Sequence, residues 1–182
     1  MKLHCNGITL LEIITTLAIS GILLGMAVPF TGNLLAENRV SGQINALRGA
    51  IALTRSEAIT RQGDVIICKS ADQEFCTHEG EWEQGYIVFT DENRNRTRDS
   101  EETLIHVHGP LPDNMTVTHS GFGSNHYMRF QATGFTWNNG TFVFCNLAAP
   151  KRAKALIIAR LGRARLSDKD DEGGPLPCGS SG

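Results

Sequence analysis

The amino-acid sequence predicts an α+β fold, in which one long N-terminal helix packs against an antiparallel β-sheet. Residues 31–61 carry apolar side chains at helical spacing, and the residues after Gly63 form short apolar runs divided by Gly, Asn, Asp and Pro. A helix followed by a series of strands is typical of α+β domains. The 182 residues suffice for one domain with a hydrophobic core and are too few for two domains and a linker. Residues 31–167 are therefore predicted to form a single globular domain.

The predicted helix is amphipathic and ends near Gln62 and Gly63, where glycine is a common stop signal. Charged residues between the apolar positions form a face exposed to solvent. The predicted buried stripe consists of Leu34, Val40, Ile44, Leu47, Ile51, Ala58 and Ile59.

Seven strands are predicted in the remainder of the domain, where β-branched and aromatic residues are concentrated. They cover residues 65–68, 85–89, 102–107, 115–118, 128–130, 141–145 and 155–159. Residues 168–182 are expected to be a C-terminal tail, and the last ten residues are expected to be held only through Cys178.

Residues 8–30 form an apolar stretch of 23 residues that contains one charge, Glu12. This is long enough for a transmembrane helix, which needs about 20 residues. An ordinary signal peptide has a shorter apolar stretch followed by a small-residue cleavage site, whereas here a polar leader of only seven residues precedes an apolar run that continues to Pro29. A carboxylate in a membrane span costs about 2.5–3.5 kcal/mol at the centre, so Glu12 needs either a partner or access to the interface.

The segment from Gly7 to Glu12 resembles the class III signal of type IV prepilins and type II secretion pseudopilins. The resemblance implies that a prepilin peptidase cuts after Gly7 and methylates Ile8, although Phe or Met is commoner than Ile at that position. It implies that Glu12 pairs with the N-terminus of a neighbouring pilin subunit, and that Pro29 bends the helix. It also implies a single-pass inner-membrane protein with a periplasmic domain, assembled into a pilus at the cell surface.

The body of the chain, over about residues 7–167, resembles the FimT and GspH minor subunits of the same family. The resemblance lies in Leu47-Arg48 and in residues 52–61, 82–91, 129–145 and 162–165. It implies a pilin-like fold.

Five cysteines are present, an odd number that calls for an explanation in an exported protein. Cleavage after Gly7 would remove Cys5 and leave four. Of their three possible pairings we favour Cys68 with Cys76, which closes a short loop, and Cys145 with Cys178, which ties the tail to a strand. Such bonds persist in the periplasm.

Residues 151–165 contain six basic residues and no acidic one, in a chain whose total charge is nearly balanced at 17 basic and 19 acidic residues. Two clusters flank the last predicted strand, about 23 Å apart at about 3.3 Å per residue. They could contact DNA phosphates without sequence preference, or protect an edge strand from aggregation. The clusters are Lys151, Arg152 and Lys154 on one side, and Arg160, Arg163 and Arg165 on the other.

Gly162-Arg163-Ala164-Arg165 matches the GRxR motif of FimT subunits that bind DNA in natural transformation. The resemblance therefore implies a minor pilin of a type IV pilus that binds extracellular double-stranded DNA, with Arg163 and Arg165 as the main contacts. The alternatives are a GspH-like pseudopilin of a type II secretion system and a purely structural or priming pilus subunit. The acidic run at residues 168–172 counts against DNA binding, because it would repel phosphate unless it folds away.

No pattern indicates an enzyme, a cofactor or a metal site. Residues 91–102 place oxygen ligands near EF-hand spacing, but Arg96 stands where the loop needs glycine, and Arg94 and Arg98 oppose a cation. A polar hairpin loop is the preferred interpretation. His106 and His108 are expected to be surface or half-buried residues without a third metal ligand. Trp82, Tyr86 and Phe89 are expected in the core.

Overall fold

The computed structural model describes residues 9–147, 153–170 and 173–178, without the side chains of residues 24–36. Helix α1 runs over Leu10–Arg61. Thr9 is its N-cap, and the Thr9 hydroxyl accepts a hydrogen bond from the Glu12 N–H at 3.3 Å. The helix ends where predicted, but the residue with left-handed backbone there is Gln62, at φ 54°, and not Gly63. The Gly63 N–H closes the end by donating to the Ala58 carbonyl.

The C-terminal half of α1 buries the predicted apolar stripe against both sheets. Val40, Ile44, Leu47, Ile51 and Ala58 are all at most 3% exposed. Ile59 differs from the prediction, because it is 40% exposed beside the loop that contains Gly134. Leu34 lies outside the described side chains.

Eight strands form two antiparallel sheets in the described part of the chain, which corrects the prediction of seven strands and one sheet. The first sheet has the order β3-β2-β1-β5 and the second the order β4-β6-β7-β8. The additional strand, β8, contains the second half of the Gly162–Arg165 motif. The strands are β1 (Val65–Lys69), β2 (Tyr86–Thr90), β3 (Leu104–His108), β4 (Met115–Gly121), β5 (Tyr127–Phe130), β6 (Gly140–Asn146), β7 (Lys154–Ile158) and β8 (Ala164–Ser167).

The main core lies between α1 and the inner faces of the two sheets. Phe130, Phe142 and Leu156 are fully buried there, together with Trp82 and Tyr86 as expected. The outer face of each sheet carries a smaller apolar cluster. Because the cluster on the first sheet covers β1 and β2, every residue of these two strands is buried. Phe89 belongs to the outer cluster of the first sheet.

The structure contains the Cys68–Cys76 and Cys145–Cys178 disulfides, the pairings favoured from the sequence. The tail, however, is held by more than Cys178. Lys169 forms a β-bridge with Pro175, and Leu176 packs on the outer face of β6 and β7. The tail therefore covers part of the second sheet.

The N-terminal part of α1 exposes its apolar side chains around the whole helix, from Leu10 (78% exposed) to Leu23 (63%). Among the described residues, no helix combines the length and apolarity needed to span a membrane. The predicted span at residues 8–30 extends beyond what is described, since Ile8 and the side chains from residue 24 onward lie outside. The leader, Gly7 and Cys5 also lie outside the described residues.

Candidate nucleic-acid interface

A β-hairpin made of β7 and β8 carries three of the six predicted basic residues at its tip. We call it the arginine hairpin, and it comprises residues 154–167. Its turn is closed by two backbone hydrogen bonds, from Ala159 N–H to the Arg163 carbonyl at 3.0 Å and from Gly162 N–H to the Ala159 carbonyl at 2.8 Å. Arg160 and Arg163 lie at this turn, and Arg165 follows in β8, paired with Ile157 near the end of β7.

Gly162 allows the turn to lie close against helix α1. Its φ is +72°, a conformation that side-chain-bearing residues avoid. A Cβ atom at this position would lie 2.7 Å from Arg55 Cδ and 2.9 Å from Phe130 Cε1. Arg55 in turn donates from Nε to the Gly134 carbonyl at 3.2 Å. Arg55 therefore holds the Gly134 loop to α1 and lies beside Gly162 at the same end of the helix, a role that the sequence pattern does not indicate.

The three arginines at the tip are exposed to solvent. Within the described part of the chain, none of them lies within ion-pair distance of an acidic side chain. Their positive charge is therefore not neutralised by those residues. β8 is also the edge strand of its sheet, so the arginines sit where charge commonly opposes edge-to-edge aggregation.

Lys154 lies at the other end of the arginine hairpin. Its Nζ is 3.6 Å from Glu37 Oε1 and 3.4 Å from Ser41 Oγ, both on helix α1. From Ser41 to Arg55 the helix advances about 21 Å at about 1.5 Å per residue, so the Lys154 contact lies far from the hairpin tip. The structure thus assigns Lys154 a contact between helix and sheet. Lys151 and Arg152 lie outside the described residues.

The acidic run is partly folded into the tail. Asp170 Oδ1 accepts a hydrogen bond from Gly174 N–H at 2.6 Å, and the Asp170 carbonyl accepts one from Gly173 N–H at 3.2 Å. Asp168 is exposed, whereas Asp171 and Glu172 lie outside the described residues. At least one of the four carboxylates is therefore hydrogen-bonded within the tail.

Beside the hairpin tip lies a cleft of about 510 Å³ that sequence analysis did not predict. The Arg160 guanidinium lies over the Trp137 ring, with Cζ 4.4 Å from the ring centroid. The Thr136 N–H donates to the Arg160 carbonyl at 2.9 Å and ties the two loops together. We call this the aromatic cleft, and its lining consists of Gln131, Thr133, Phe135, Thr136, Trp137 and Arg160.

The loop at residues 91–102 connects β2 to β3, which confirms the prediction of a polar hairpin loop. Glu102 accepts hydrogen bonds from the N–H groups of Glu92 and Asp99 at 2.9 and 3.0 Å. Asp91 accepts one from Arg96, whose φ is +67°. Burial raises the pKa of Asp91. Among the described residues, no group of three His, Cys, Asp or Glu side chains is arranged to hold a metal ion.

The described histidines pack against aromatic rings. His108 stacks on Tyr86 with ring centroids 4.7 Å apart, and His106 lies near the same ring. His119 stacks on Phe142 at 4.2 Å, and burial lowers its pKa to about 4. These contacts pack the histidine rings against the aromatic side chains of the domain.

Comparisons with known proteins agree with this fold. The model of the family described as type II transport protein GspH matches residues 43–162, and that of the prokaryotic N-terminal methylation motif matches residues 2–28. The pilin-like protein PilA1 of Thermus thermophilus is 30% identical over 176 residues, which cover 88% of this chain and 97% of that protein. The first match ends at Gly162, so Arg163 and Arg165 lie just beyond it.

Solved structures of two bacterial proteins share the fold. The type IV minor pilin FimU of Pseudomonas aeruginosa has a TM-score of 0.54 and 18% identity, over 71% of this chain and 89% of its own. The minor pseudopilin EpsH of Vibrio cholerae has a TM-score of 0.52 and 10% identity, over 71% of this chain and 96% of its own. At these identities the likeness concerns the fold alone.

Proposed function

Because this chain belongs to the GspH/FimT family of type IV pilin-like minor subunits, we propose that it is a minor pilin whose arginine hairpin binds the phosphate backbone of double-stranded DNA. The observation that supports this proposal is the hairpin tip. Arg160 and Arg163 lie at the turn and Arg165 lies at the start of β8; all three are exposed, and none lies within ion-pair distance of an acidic side chain of the described residues. Arginine forks bind phosphate oxygens in bidentate fashion. The biological role we propose is capture of extracellular DNA during natural transformation.

The proposal includes the processing and assembly steps implied by the N-terminal motif. A prepilin peptidase would cut after Gly7 and methylate Ile8, and the mass of the mature chain tests this. Glu12, in the first turn of α1, would then pair with the N-terminus of a neighbouring pilin subunit in the inner membrane or the filament. The exposed apolar side chains of that part of α1 are consistent with burial in a bilayer or against other subunits.

The contact set that we propose differs in part from the six basic residues of the sequence pattern. Arg160, Arg163 and Arg165 form it. Lys154 is left out, because its ammonium group already lies beside Glu37 and is only partly exposed. Lys151 and Arg152 remain predicted flanking contacts.

The test is a salt titration of binding by the full-length chain in a non-ionic detergent. Two duplexes of unrelated sequence should bind about equally. The logarithm of the binding constant should fall with the logarithm of salt concentration, with a slope of about −0.9 per phosphate contacted and hence about −2 to −3 for three arginines. The double variant Arg163→Gln/Arg165→Gln should weaken binding and reduce the slope by nearly 2.

A charge-matched control is the double variant Arg39→Gln/Arg48→Gln, since both arginines are exposed on α1 outside the hairpin. It removes the same charge and should leave the slope unchanged. Equal losses in the two double variants would indicate a general charge effect instead of a site. Binding by the hairpin variant that equals the parent, combined with aggregation of that variant, would mean that the arginines only protect the sheet edge.

The other candidate is a purely structural subunit of a pilus or of a type II secretion system. It predicts no binding to either duplex at low salt, together with a loss of filament assembly or of secretion when the gene is deleted.

A further inference from the structure

The aromatic cleft next to the arginine hairpin exposes two large rings to solvent. Trp137 is 51% exposed and Phe135 is 46% exposed, whereas the other tryptophan, Trp82, is 3% exposed in the core. We infer that this cleft binds one unpaired nucleobase, so that DNA held by the hairpin is gripped at a single-stranded segment or a frayed end. The inference rests on the proposed function, because the hairpin would supply the phosphate contacts of the same strand.

The Trp137 ring is held in place for such a contact. The Arg160 guanidinium lies 4.4 Å from its centroid, and the backbone bond from Thr136 to Arg160 fixes the loop beside the ring. A ring that is already ordered loses less conformational entropy when a base stacks on it. Base stacking on an aromatic side chain, aided by arginine, is the usual way in which proteins hold single-stranded nucleic acid without sequence preference.

The size and lining of the cleft suit a planar heteroaromatic ring with polar edges. Its volume of about 510 Å³ lies in the range of small-molecule sites. Gln131 offers both a donor and an acceptor, and Thr133 offers a hydroxyl. No acidic side chain of the described residues lines the cleft, so its described lining does not repel the phosphates that accompany a base.

The cleft and the phosphate site are close enough to act on one strand. Arg160 belongs to both, and the hydrogen bond from Ala159 N–H to the Arg163 carbonyl closes the turn that separates Arg160 from Arg163. A base on Trp137 would therefore place its own or the next phosphate near the hairpin tip.

The same geometry explains why a paired base is a poor ligand. Bases inside a duplex are stacked, and removing one from the stack costs a few kcal/mol, least where the base is already unpaired. Stacking on Trp137 thus favours single-stranded DNA, whereas contacts to phosphates alone do not distinguish single-stranded from double-stranded DNA.

An apolar side chain from a neighbouring filament subunit is the competing occupant of the cleft. The arginines around the cleft favour the nucleic acid, because they attract its phosphates and have no comparable electrostatic attraction for an apolar side chain.

The experiment measures binding of fluorescent 20-mers to the full-length chain in a non-ionic detergent. Three probes separate the contributions: single-stranded oligo-dT, an abasic strand with the same number of phosphates, and a blunt duplex. The parent should bind oligo-dT more tightly than the abasic strand. Trp137→Ala should weaken oligo-dT binding by roughly 5- to 100-fold and leave the other two probes within about twofold. Trp137→Phe, which keeps an aromatic face, should recover most of the loss.

Phe122→Ala is the matched control, because Phe122 is 71% exposed and does not line the cleft. It should leave all three affinities unchanged. Oligo-dT should also quench the fluorescence of Trp137, while the buried Trp82 contributes a constant background. Unchanged unfolding curves for the variants would show that each loss of binding is local.

The outcomes separate this inference from the proposed function. Equal binding of oligo-dT and the abasic strand, or full oligo-dT binding by Trp137→Ala, overturns the inference but leaves duplex binding by the hairpin intact. No binding of any probe at low salt overturns both. Loss of filament incorporation by Trp137→Ala, with oligo-dT affinity retained, assigns the cleft to a neighbouring subunit and also overturns the inference.

Discussion

Substitution of Gly162 by alanine tests how closely the arginine hairpin packs on helix α1. Two costs add at this position. The left-handed backbone at φ +72° costs an L-residue about 1–2 kcal/mol. The new methyl group would also lie 2.7 Å from Arg55 Cδ and 2.9 Å from Phe130 Cε1, and such overpacking costs about 1–3 kcal/mol. We therefore expect Gly162→Ala to lower the free energy of unfolding by roughly 2–5 kcal/mol.

Gly173→Ala is a control for the backbone cost alone, because Gly173 has φ +85° and no atom of the described residues within 4 Å of its added Cβ. It should cost only about 1–2 kcal/mol. The assay is urea denaturation of the full-length chain in detergent, followed by the fluorescence of the buried Trp82. Equal losses in the two variants would refute the argument, because they would show that Arg55 and Phe130 do not constrain the turn.

Two further predictions concern the tail and pH. Replacing Cys145 and Cys178 together by alanine should destabilise the chain by up to about 3–4 kcal/mol on the chain-entropy estimate for a separation of 33 residues. Protease should then cleave the tail while the first sheet stays protected. Lowering the pH from 7 to 5 should cost about 1–2 kcal/mol at His119, because its pKa is about 4 when folded and 6.5 when unfolded, so the unfolded state binds more protons in that interval. Urea denaturation of His119→Gln at both pH values should show a smaller loss of unfolding free energy between pH 7 and pH 5 than the parent shows. An equal loss would mean that groups other than His119 cause the pH dependence.

The periodicity of the sequence was enough to locate α1 and seven strands, because each depends on side chains that are neighbours in the chain. It missed β8, whose four residues, Ala164–Ser167, carry an exposed arginine and a half-exposed leucine at a sheet edge. It also missed the division into two sheets, since β5 pairs with β1 and β6 pairs with β4 across other elements. Such pairings depend on contacts between distant segments, which a local pattern does not contain.

The candidate site, too, was predicted from the sequence only in part. The GRxR resemblance and the basic run pointed to Arg160, Arg163 and Arg165, of which the first two lie at the hairpin turn and the third at the start of β8. The aromatic cleft was not predicted, because Trp137 and Arg160 meet only through the fold. Lys154 looked equivalent to the arginines in the sequence, but its partner Glu37 lies on the helix, far away along the chain.

The length of α1 has a consequence for competition between polyanions. With residues 8–30 in the bilayer, as proposed, the helix from residue 31 to Arg55 holds the hairpin tip about 36 Å beyond the apolar span, at about 1.5 Å per residue. The attraction of anionic lipid headgroups for arginine falls off within a Debye length, about 8 Å at physiological ionic strength. The arginines therefore lie outside the reach of the host membrane's own negative charge, and they remain open to a polyanion that arrives from the opposite side.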